Sequence, residues 1–365
     1  MKKKIIFFCP SIEEGGVEKN LYLIVNKLSN EFDISLITAN KDKRKKFNNK
    51  INFITPKKIN INNGTRLIKT FYCVFLILKN FYFNNKGNII ISYESNIFAI
   101  IVAKILKIPV IIRSNASPTG YLGNFLKVYI FKYFFKYANC VLVNSSDFKF
   151  KIDKILNIKS KIIYNSIIEK SEQRRLSSQR IKKYKIDKNC YKIVVIGRLV
   201  EQKDQITILK ALNYLKNKLN FFVLIIGKGK LKKDLVKFCN KNKISHQVKF
   251  LGYKSNVYPY LKWSDALVLS SKYEGSPNVL IEAISFKKTV ISSNCPTGPK
   301  EILKNGKAGF LFKTSNFKDL AKKIEISYFN KKISNEKIKF SQKLIYRFDI
   351  IKNKDALKKI INSLK

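Results

Sequence analysis

The sequence predicts an α/β protein of two Rossmann-like halves, and three observations lead there. Short apolar runs alternate with amphipathic helical patterns along most of the chain, the mark of parallel strands covered on both faces. A polar and charged stretch at 166–189 breaks that alternation once, after which it starts again. Glycines and polar residues recur directly after the apolar runs, where sheets of this kind bind ligands. Two such halves joined by one linker are expected to face each other across a cleft. The expected boundaries are 1–170 for the first half, 171–189 for the linker and 190–345 for the second half, with a C-terminal helix over 346–365 packing back on the first.

The first half opens with a strand from Lys4 to Cys9, stopped by Pro10. The loop Glu13-Glu14-Gly15-Gly16-Val17-Glu18 leads into a helix marked by Leu21, Ile24, Val25 and Leu28 at helical spacing. The paired glycines either let the backbone approach a ligand closely or make a simple tight turn. They lack the GxGxxG spacing of a dinucleotide fingerprint. Strands follow at Phe32 to Thr38, Ile51 to Ile54, Asn88 to Ser92, Val110 to Arg113, Val141 to Asn144 and Ile162 to Tyr164. Helices are expected at Arg66 to Phe83, Ile97 to Leu106, Asn124 to Tyr137 and Asp147 to Leu156.

In the second half, the strand Lys192 to Ile196 runs through Gly197-Arg198-Leu199 to a helix at Gln205 to Leu219. Phe221 to Ile226 runs through Gly227-Lys228-Gly229 to another helix, and Val248 to Leu251 ends at Gly252. Further strands are Ala266 to Leu269, Thr289 to Ser292 and Gly309 to Phe312, and Phe317 to Lys365 is helical in pattern. The most informative stretch is 265–286: a strand, a loop carrying Glu274 and Gly275, then a helix with Ser276 as N-cap and Pro277 as its first residue. A helix start of this kind favours phosphates and other anions. Glu274 on the loop and Glu282 inside the helix either surround a ligand held there or are ordinary helix-terminus acids. Arg198 and Lys203 read as a cationic clamp for a diphosphate, or as solvated surface cations. Gly15-Gly16, Arg113 to Asn115, Arg198 with Lys203, Gly227 with Gly229, and Glu274 to Asn278 all lie just after strands, and that convergence outweighs any one of them.

Composition narrows the function classes. Lys and Arg number 73 against 24 Asp and Glu, a formal charge of +49 that points to nucleic acid or an anionic membrane surface. The excess is mostly Lys, accompanied by many Ile, Asn and Phe, as an AT-rich genome gives, so part of it marks no site. A peripheral membrane surface is favoured over nucleic acid. The six Cys are scattered with no CxxC pair and read as reduced, mostly buried thiols of a cytosolic protein. The lone His246 builds neither a His-rich metal site nor a Ser-His-Asp triad with conventional partners. No signal peptide is expected, because Ile5 to Cys9 is too short for its apolar core. Phe71 to Phe83 carries Lys79, and Ile89 to Ile112 is broken by Glu94, Lys104 and Lys107, so neither is expected to span a bilayer. The Lys-rich aromatic helices at 66–83 and 124–137 suit an anionic lipid interface, or are core-facing helices with solvated lysines.

The setting Tyr273-Glu274-Gly275-Ser276-Pro277-Asn278-Val279-Leu280-Ile281-Glu282-Ala283 carries a Glu-x7-Glu pair. With it come Gly197-Arg198-Leu199 followed by Gln202-Lys203-Asp204, Gly15-Gly16-Val17-Glu18 and Ile226-Gly227-Lys228-Gly229. Together these resemble glycosyltransferase family 4, retaining enzymes of the GT-B fold, over essentially the whole chain. Ser293-Asn294-Cys295-Pro296-Thr297-Gly298-Pro299-Lys300-Glu301-Ile302 is similar to a segment common in members that build bacterial surface glycans such as lipopolysaccharide.

The resemblance implies transfer of a hexose or N-acetylhexosamine from a nucleotide sugar, expected to be UDP-linked, to a lipid-linked or glycan acceptor. Arg198 and Lys203 would hold the donor diphosphate and stabilise charge on the leaving group. Glu282 would bind the ribose hydroxyls, and Glu274 would contact the donor sugar as a positioning and electrostatic residue, not a nucleophile. The backbone of Gly275, Ser276, Pro277, Asn278 and Val279 would cradle sugar and phosphate. Gly15 and Gly16 would lie by the diphosphate. Gly197, Gly227, Gly229 and Gly252 complete the substrate-binding set. No metal or other cofactor is expected, since helix dipoles with Arg and Lys take a metal's place. Retention would proceed by front-face attack through an oxocarbenium-like transition state, without the double displacement of retaining hydrolases. In this sequence Arg113-Ser114-Asn115-Ala116-Ser117-Pro118 places Asn115 where many members carry His. Asn donates and accepts hydrogen bonds but shuttles no proton, so Asn115 is expected to position the sugar. His246 is expected to be structural. A cytoplasmic protein, peripheral on the inner face of the membrane, follows from this reading. A sugar-nucleotide epimerase of the same fold and a basic nucleic-acid-binding protein are the alternatives.

Overall fold

The computed structural model describes residues 2–13, 15–56, 61, 64–83, 87–115 and 125–364, so Glu14, Ala116 to Pro118 and Asn124 lie outside the described residues. The chain forms two compact units, Met1–Ser166 with Phe348–Lys365, and Ile167–Arg347.

The first unit carries strands β1 (Lys4–Phe8), β2 (Asp33–Ile37), β3 (Asn52–Ile54), β4 (Asn88–Ser92), β5 (Val110–Arg113), β6 (Cys140–Val143) and β7 (Lys161–Ile162). Its helices are α1 (Gly16–Leu28), α2 (Arg66–Phe81), α3 (Asn96–Leu106), α4 (Phe125–Phe135) and α5 (Ser146–Leu156). The strands pair in parallel in the order β3-β2-β1-β4-β5-β6-β7. Successive side chains of a strand point to opposite faces. Ile5 and Phe7 therefore enter one core with Leu21, Ile24 and Leu28 of α1. Ile6 and Phe8 enter the other with Cys73 and Ile77 of α2 and Ala99, Ile100 and Ala103 of α3. Both faces are covered, which is why β1 and β4 read as unbroken apolar runs.

The second unit begins with α6 (Lys170–Ser177) and continues β8 (Tyr191–Ile196), α7 (Gln205–Leu215), β9 (Phe221–Ile226), α8 (Lys232–Lys241), β10 (Val248–Gly252), α9 (Tyr258–Trp263) and β11 (Ala266–Leu269). It closes with α10 (Asn278–Ser285), β12 (Thr289–Ser293), α11 (Pro299–Ile302), β13 (Phe310–Phe312), α12 (Phe317–Phe329) and α13 (Lys331–Leu344). Its sheet is parallel in the order β10-β9-β8-β11-β12-β13. Ile193, Val195, Val223 and Ile225 pack against Ile208, Leu209 and Leu212 of α7 and Leu320 and Ile324 of α12. The final helix α14 (Ile350–Ser363) returns to the first unit, where Leu357 and Ile361 join the core of α1. Lys354 Nζ also reaches Glu31 Oε1 there at 2.6 Å.

The strand order reverses between β1 and β4 in one sheet and between β8 and β11 in the other. The crevice outside such a reversal is where α/β sheets hold ligands.

Two details differ from the sequence expectation. The stretch 171–189, expected as a linker, belongs to the second unit. Asn256 Nδ2 donates to Leu176 O and to Gln179 Oε1, both at 2.8 Å, and the Tyr184 ring packs on Phe222 and Trp263, so a few separate contacts rather than an apolar stripe anchor it. Ser276 is not a helix cap. The helix starts at Asn278, with Pro277 at the cap in extended conformation (φ −71°, ψ 106°) and no side-chain cap bond. Pro277 holds an extended ψ rather than a helical one, so it is itself the flanking residue and the helix starts one residue later than expected. Among the described residues no helix is long and apolar enough to cross a membrane.

Candidate active site

The carboxyl ends of β8 and β11, adjacent at the reversal of the second sheet, bring Lys203 and Glu274 together. Lys203 Nζ forms an ion pair with Glu274 Oε1, although the two lie 71 residues apart in sequence. Both side chains are largely buried, Lys203 at 17% exposure and Glu274 at 8%. Ser271 Oγ donates to the same Glu274 oxygen at 2.6 Å. Hydroxyls also fix the backbone of both residues: Ser270 Oγ donates to Lys203 O at 2.7 Å, and Thr297 Oγ1 donates to Glu274 O. Ser293 Oγ in turn donates to Ser271 O at 2.6 Å. The pair is therefore held from β11, β12 and the loop before α11.

An ammonium carries three donors. Glu274 engages one, so Lys203 retains the capacity to bind an incoming anion beside the carboxylate. Arg198 has a different partner. Its side chain is exposed and its Nη2 lies 3.5 Å from Gln202 Oε1. Its carbonyl is held by Gln205 Nε2 at 2.8 Å. The two cations of the expected clamp are thus on one loop, but only Lys203 is locked onto the carboxylate. Cys295, buried nearby, has its thiol pushed up to about 11 by burial, with the negative charge of Glu274 adding to the effect.

The glycine loops are tight for a stated reason. Gly227 adopts φ +151°, and a Cβ on it would stand 1.9 Å from Gly197 O. A Cβ on Gly229 would stand 2.2 Å from Leu199 O. Only hydrogen fits at either position, so the loops after β8 and β9 lie backbone against backbone. Gly197 N donates to Ile226 O at 3.0 Å and Leu199 N to Lys228 O at 2.9 Å. Gly252, at the end of β10, accepts from Gly227 N at 2.8 Å. Gly197 lies against the Lys203 stem, where a Cβ would stand 3.6 Å from its Cδ and Cε, an ordinary contact. Gly275, Ser276, Pro277 and Asn278 run from the Glu274 loop into α10, followed by Val279, and Glu282 is buried in the same helix.

The remaining expected residues lie in the first unit. Gly15 caps α1 with φ −152°, an extended conformation open to any residue, and Gly16 is the first helical residue. A tight turn with special backbone geometry is therefore not the reason for Gly15. Asn115 follows β5, and its amide is engaged on both sides: Oδ1 accepts from Arg113 Nε at 3.1 Å, and Nδ2 donates to Tyr93 O at 3.2 Å. Arg113 itself is fully buried, with Nη2 donating to Ile163 O at 3.0 Å and Asn165 Oδ1 at 2.9 Å. Asn115 thus ties β5 to the end of β4 and is oriented by a guanidinium.

Sequence reasoning did not assign Ser271, Ser293 and Thr297 to the site. Ser271 and Glu274 stand three apart in one loop, a spacing that lets side chains meet, whereas the other two contacts depend on the β11–β12 pairing. His246 lies ahead of β10, outside this cluster.

Residues 177–343 match the family model of glycosyl transferases group 1. A Campylobacter jejuni N,N'-diacetylbacillosaminyl-diphospho-undecaprenol alpha-1,3-N-acetylgalactosaminyltransferase is 30% identical over 69% of this chain and 72% of its own length. A second C. jejuni relative, an alpha-1,4-N-acetyl-D-galactosaminyltransferase named for GalNAc-alpha-(1->4)-GalNAc-alpha-(1->3)-diNAcBac-PP-undecaprenol, is 26% identical over 99% of both chains. Among solved structures, Anabaena Alr3699/HepE in complex with UDP and glucose superposes with a TM-score of 0.78 at 17% identity, covering 99% of this chain and 100% of that one.

Proposed function

We propose that this chain, which belongs to the glycosyl transferases of group 1, moves a hexose or N-acetylhexosamine from a UDP-sugar to a lipid-linked glycan acceptor with retention of configuration. The observation that carries this reading is the Lys203–Glu274 pair at the β8/β11 reversal, held beside a helix start and backbone-tight glycine loops. A cation and a carboxylate fixed side by side suit a ligand with an anionic diphosphate and a neutral polyhydroxyl sugar. Lys203 and Arg198 would neutralise charge as the diphosphate departs. Glu274 would orient sugar hydroxyls, and Glu282 would accept hydrogen bonds from the ribose. Charge stabilisation from two side-chain cations and the start of α10 supports a reaction without a metal. The relatives named for undecaprenol diphosphate-linked glycans support a lipid-linked acceptor and an N-acetylhexosamine donor.

A peripheral membrane position is part of the same proposal. Helix α4 buries only Phe135, while Phe125, Leu126, Tyr129 and Tyr133 are exposed beside Lys127 and Lys132. Helix α2 exposes Leu67, Phe71 and Phe75. Apolar rings flanked by lysines fit the interface of an anionic bilayer.

The deciding experiment is a thermal-shift panel of UDP-, GDP- and ADP-sugars with and without EDTA, since a ligand of the native state raises its stability by mass action. Stabilisation by a UDP-sugar that survives EDTA is expected. Stabilisation by none of the three removes the donor assignment.

A further inference from the structure

We propose that Glu94, with Arg66 and the backbone N–H of Ser11 beside it, forms an acceptor subsite in the first unit that takes a sugar hydroxyl; this rests on the transferase reading above. Glu94 follows β4 and Ser11 follows β1, the two strands between which the first sheet reverses its order. That position corresponds to the one Glu274 and Lys203 occupy in the second sheet. Glu94 Oε2 accepts from Ser11 N at 3.2 Å, and Oε1 pairs with Arg66 Nη2 at 3.0 Å. The carboxylate is held on both oxygens and keeps 13% exposure, and Arg66 is 63% exposed.

The surrounding structure places this carboxylate deliberately. Ser92 Oγ lies 2.7 Å from Glu94 O and 2.9 Å from Asn96 Oδ1, and its one proton serves these two acceptors. Ser95, the next residue, sits in the left-handed region (φ +54°, ψ +43°), a conformation a non-glycine residue adopts only where its surroundings impose it. A second buried carboxylate, Glu18, curls over the start of α1, where a Cβ on Gly15 would stand 2.7 Å from its Oε2. A carboxylate next to a guanidinium both accepts from and donates to a carbohydrate, the combination hydroxyl and acetamido groups need.

The charges facing Glu94 are Arg66 from α2, Glu18 from α1, and Glu13 from the loop after β1. The Cys9 thiol at the end of β1 is itself pushed far up by burial and by the charges of Glu94 and Glu18. Burial raises Glu94 to about 7, with Glu18 and Glu13 adding and Arg66 and the Ser11 N–H opposing. Its charge therefore changes near neutral pH, and acceptor affinity should follow it.

The test uses Glu94→Gln in the full chain, with a short-chain polyprenyl-diphosphate-linked N-acetylgalactosamine as acceptor and UDP binding read by calorimetry. Loss of one hydrogen bond to a charged group is expected to raise the acceptor KM about tenfold or more, with the UDP dissociation constant unchanged. In the wild type the acceptor KM is expected to rise as pH falls through about 7, and in Glu94→Gln to stay flat. Arg66→Gln, which removes the group that lowers Glu94, should move that limb to higher pH. An unchanged acceptor KM in Glu94→Gln overturns the subsite, as does a loss of UDP affinity equal to the loss for acceptor. A wild type that binds no nucleotide sugar overturns the transferase reading and this subsite together.

Discussion

Lys203→Ala strips the ammonium from a carboxylate that is only 8% exposed and leaves Ser271 Oγ as its remaining side-chain donor. Breaking a buried ion pair by removing one partner costs about 3–5 kcal/mol. Lys203 keeps 17% exposure, so water relieves part of the penalty and the lower end, about 3 kcal/mol, applies. In a unit of about 180 residues each kcal/mol moves Tm by about 2–4 °C, so the drop should be about 6–12 °C. The double variant Lys203→Met with Glu274→Gln removes both charges at similar volume and should recover most of that stability. It should not recover function, because neither a cation for the diphosphate nor a carboxylate for the sugar remains. Differential scanning calorimetry paired with UDP-sugar turnover reads both quantities on the same samples. A double variant that regained turnover along with Tm would show the pair to be structural and refute its place in the donor site. A Lys203→Ala protein melting within about 2 °C of wild type would mean that the pair contributes too little for this argument.

Glu282→Ala should lower kcat/KM for the donor by about tenfold or more, of order 1.4 kcal/mol, and, since the side chain is buried, should lower Tm as well; steady-state kinetics with varied UDP-sugar and a melting curve check it. Gly227→Ala forces a Cβ to within 1.9 Å of Gly197 O and should destabilise the second unit by about 3 kcal/mol or more, whereas Gly252→Ala meets open space at φ +69° and should cost about 1–2 kcal/mol. Denaturant midpoints of the two variants decide between these values. Glu94 is raised above the usual carboxylate range to about 7, so the folded state holds its proton more tightly than the unfolded chain. Relative to Glu94→Gln, wild-type stability should therefore be greatest at pH values below the unfolded carboxylate's and should be lost as pH rises through about 7, by up to about 3 kcal/mol; melting curves at pH 5 and 8 read it. Phe75→Ser with Phe125→Ser should weaken flotation with phosphatidylglycerol vesicles at low salt, and equal flotation would remove the membrane face.

The strands were legible because they are buried on both faces and bounded by polar residues. Asn88–Ser92, Val110–Arg113, Phe221–Ile226 and Ala266–Leu269 fall where their apolar runs predict. The start of α10 falls one residue beyond the expectation because Ser276-Pro277 has the composition of a cap and a first helical residue, while Pro277 takes an extended ψ that composition does not report. The stretch 171–189 reads as a linker because separate contacts anchor it, the Asn256 amide bonds and the Tyr184 ring against Phe222 and Trp263, and these leave no apolar period to find. For the site, the sequence showed which residues follow strands, and that placed Lys203 and Glu274 correctly at strand ends. It did not show that they touch, because their contact depends on β8 lying beside β11, a pairing made at long range. Glu94 was visible only as a charge interrupting an apolar segment. Its environment is supplied by β1 and α2, which no local pattern reports.

The two reversal points share a device with an energetic consequence. In each, a mostly buried carboxylate is held by a cation brought from elsewhere in its own unit, Lys203 for Glu274 and Arg66 for Glu94. Burying a bare charge is costly, and burying a paired one much less so. A ligand arriving at either place meets charges that are already partly dehydrated and already oriented. Binding then exchanges one partner of the cation for another, or adds a hydroxyl to an oxygen already fixed, so little new desolvation or side-chain ordering falls on the binding step. Glu94, pushed up to about 7 and facing Glu18 and Glu13, gains or loses its charge near neutral pH. If Glu94 takes an acceptor hydroxyl, acidification through about 7 should raise the acceptor KM of the wild type and leave that of Glu94→Gln unmoved, and the pH dependence of that KM in the two proteins would show it.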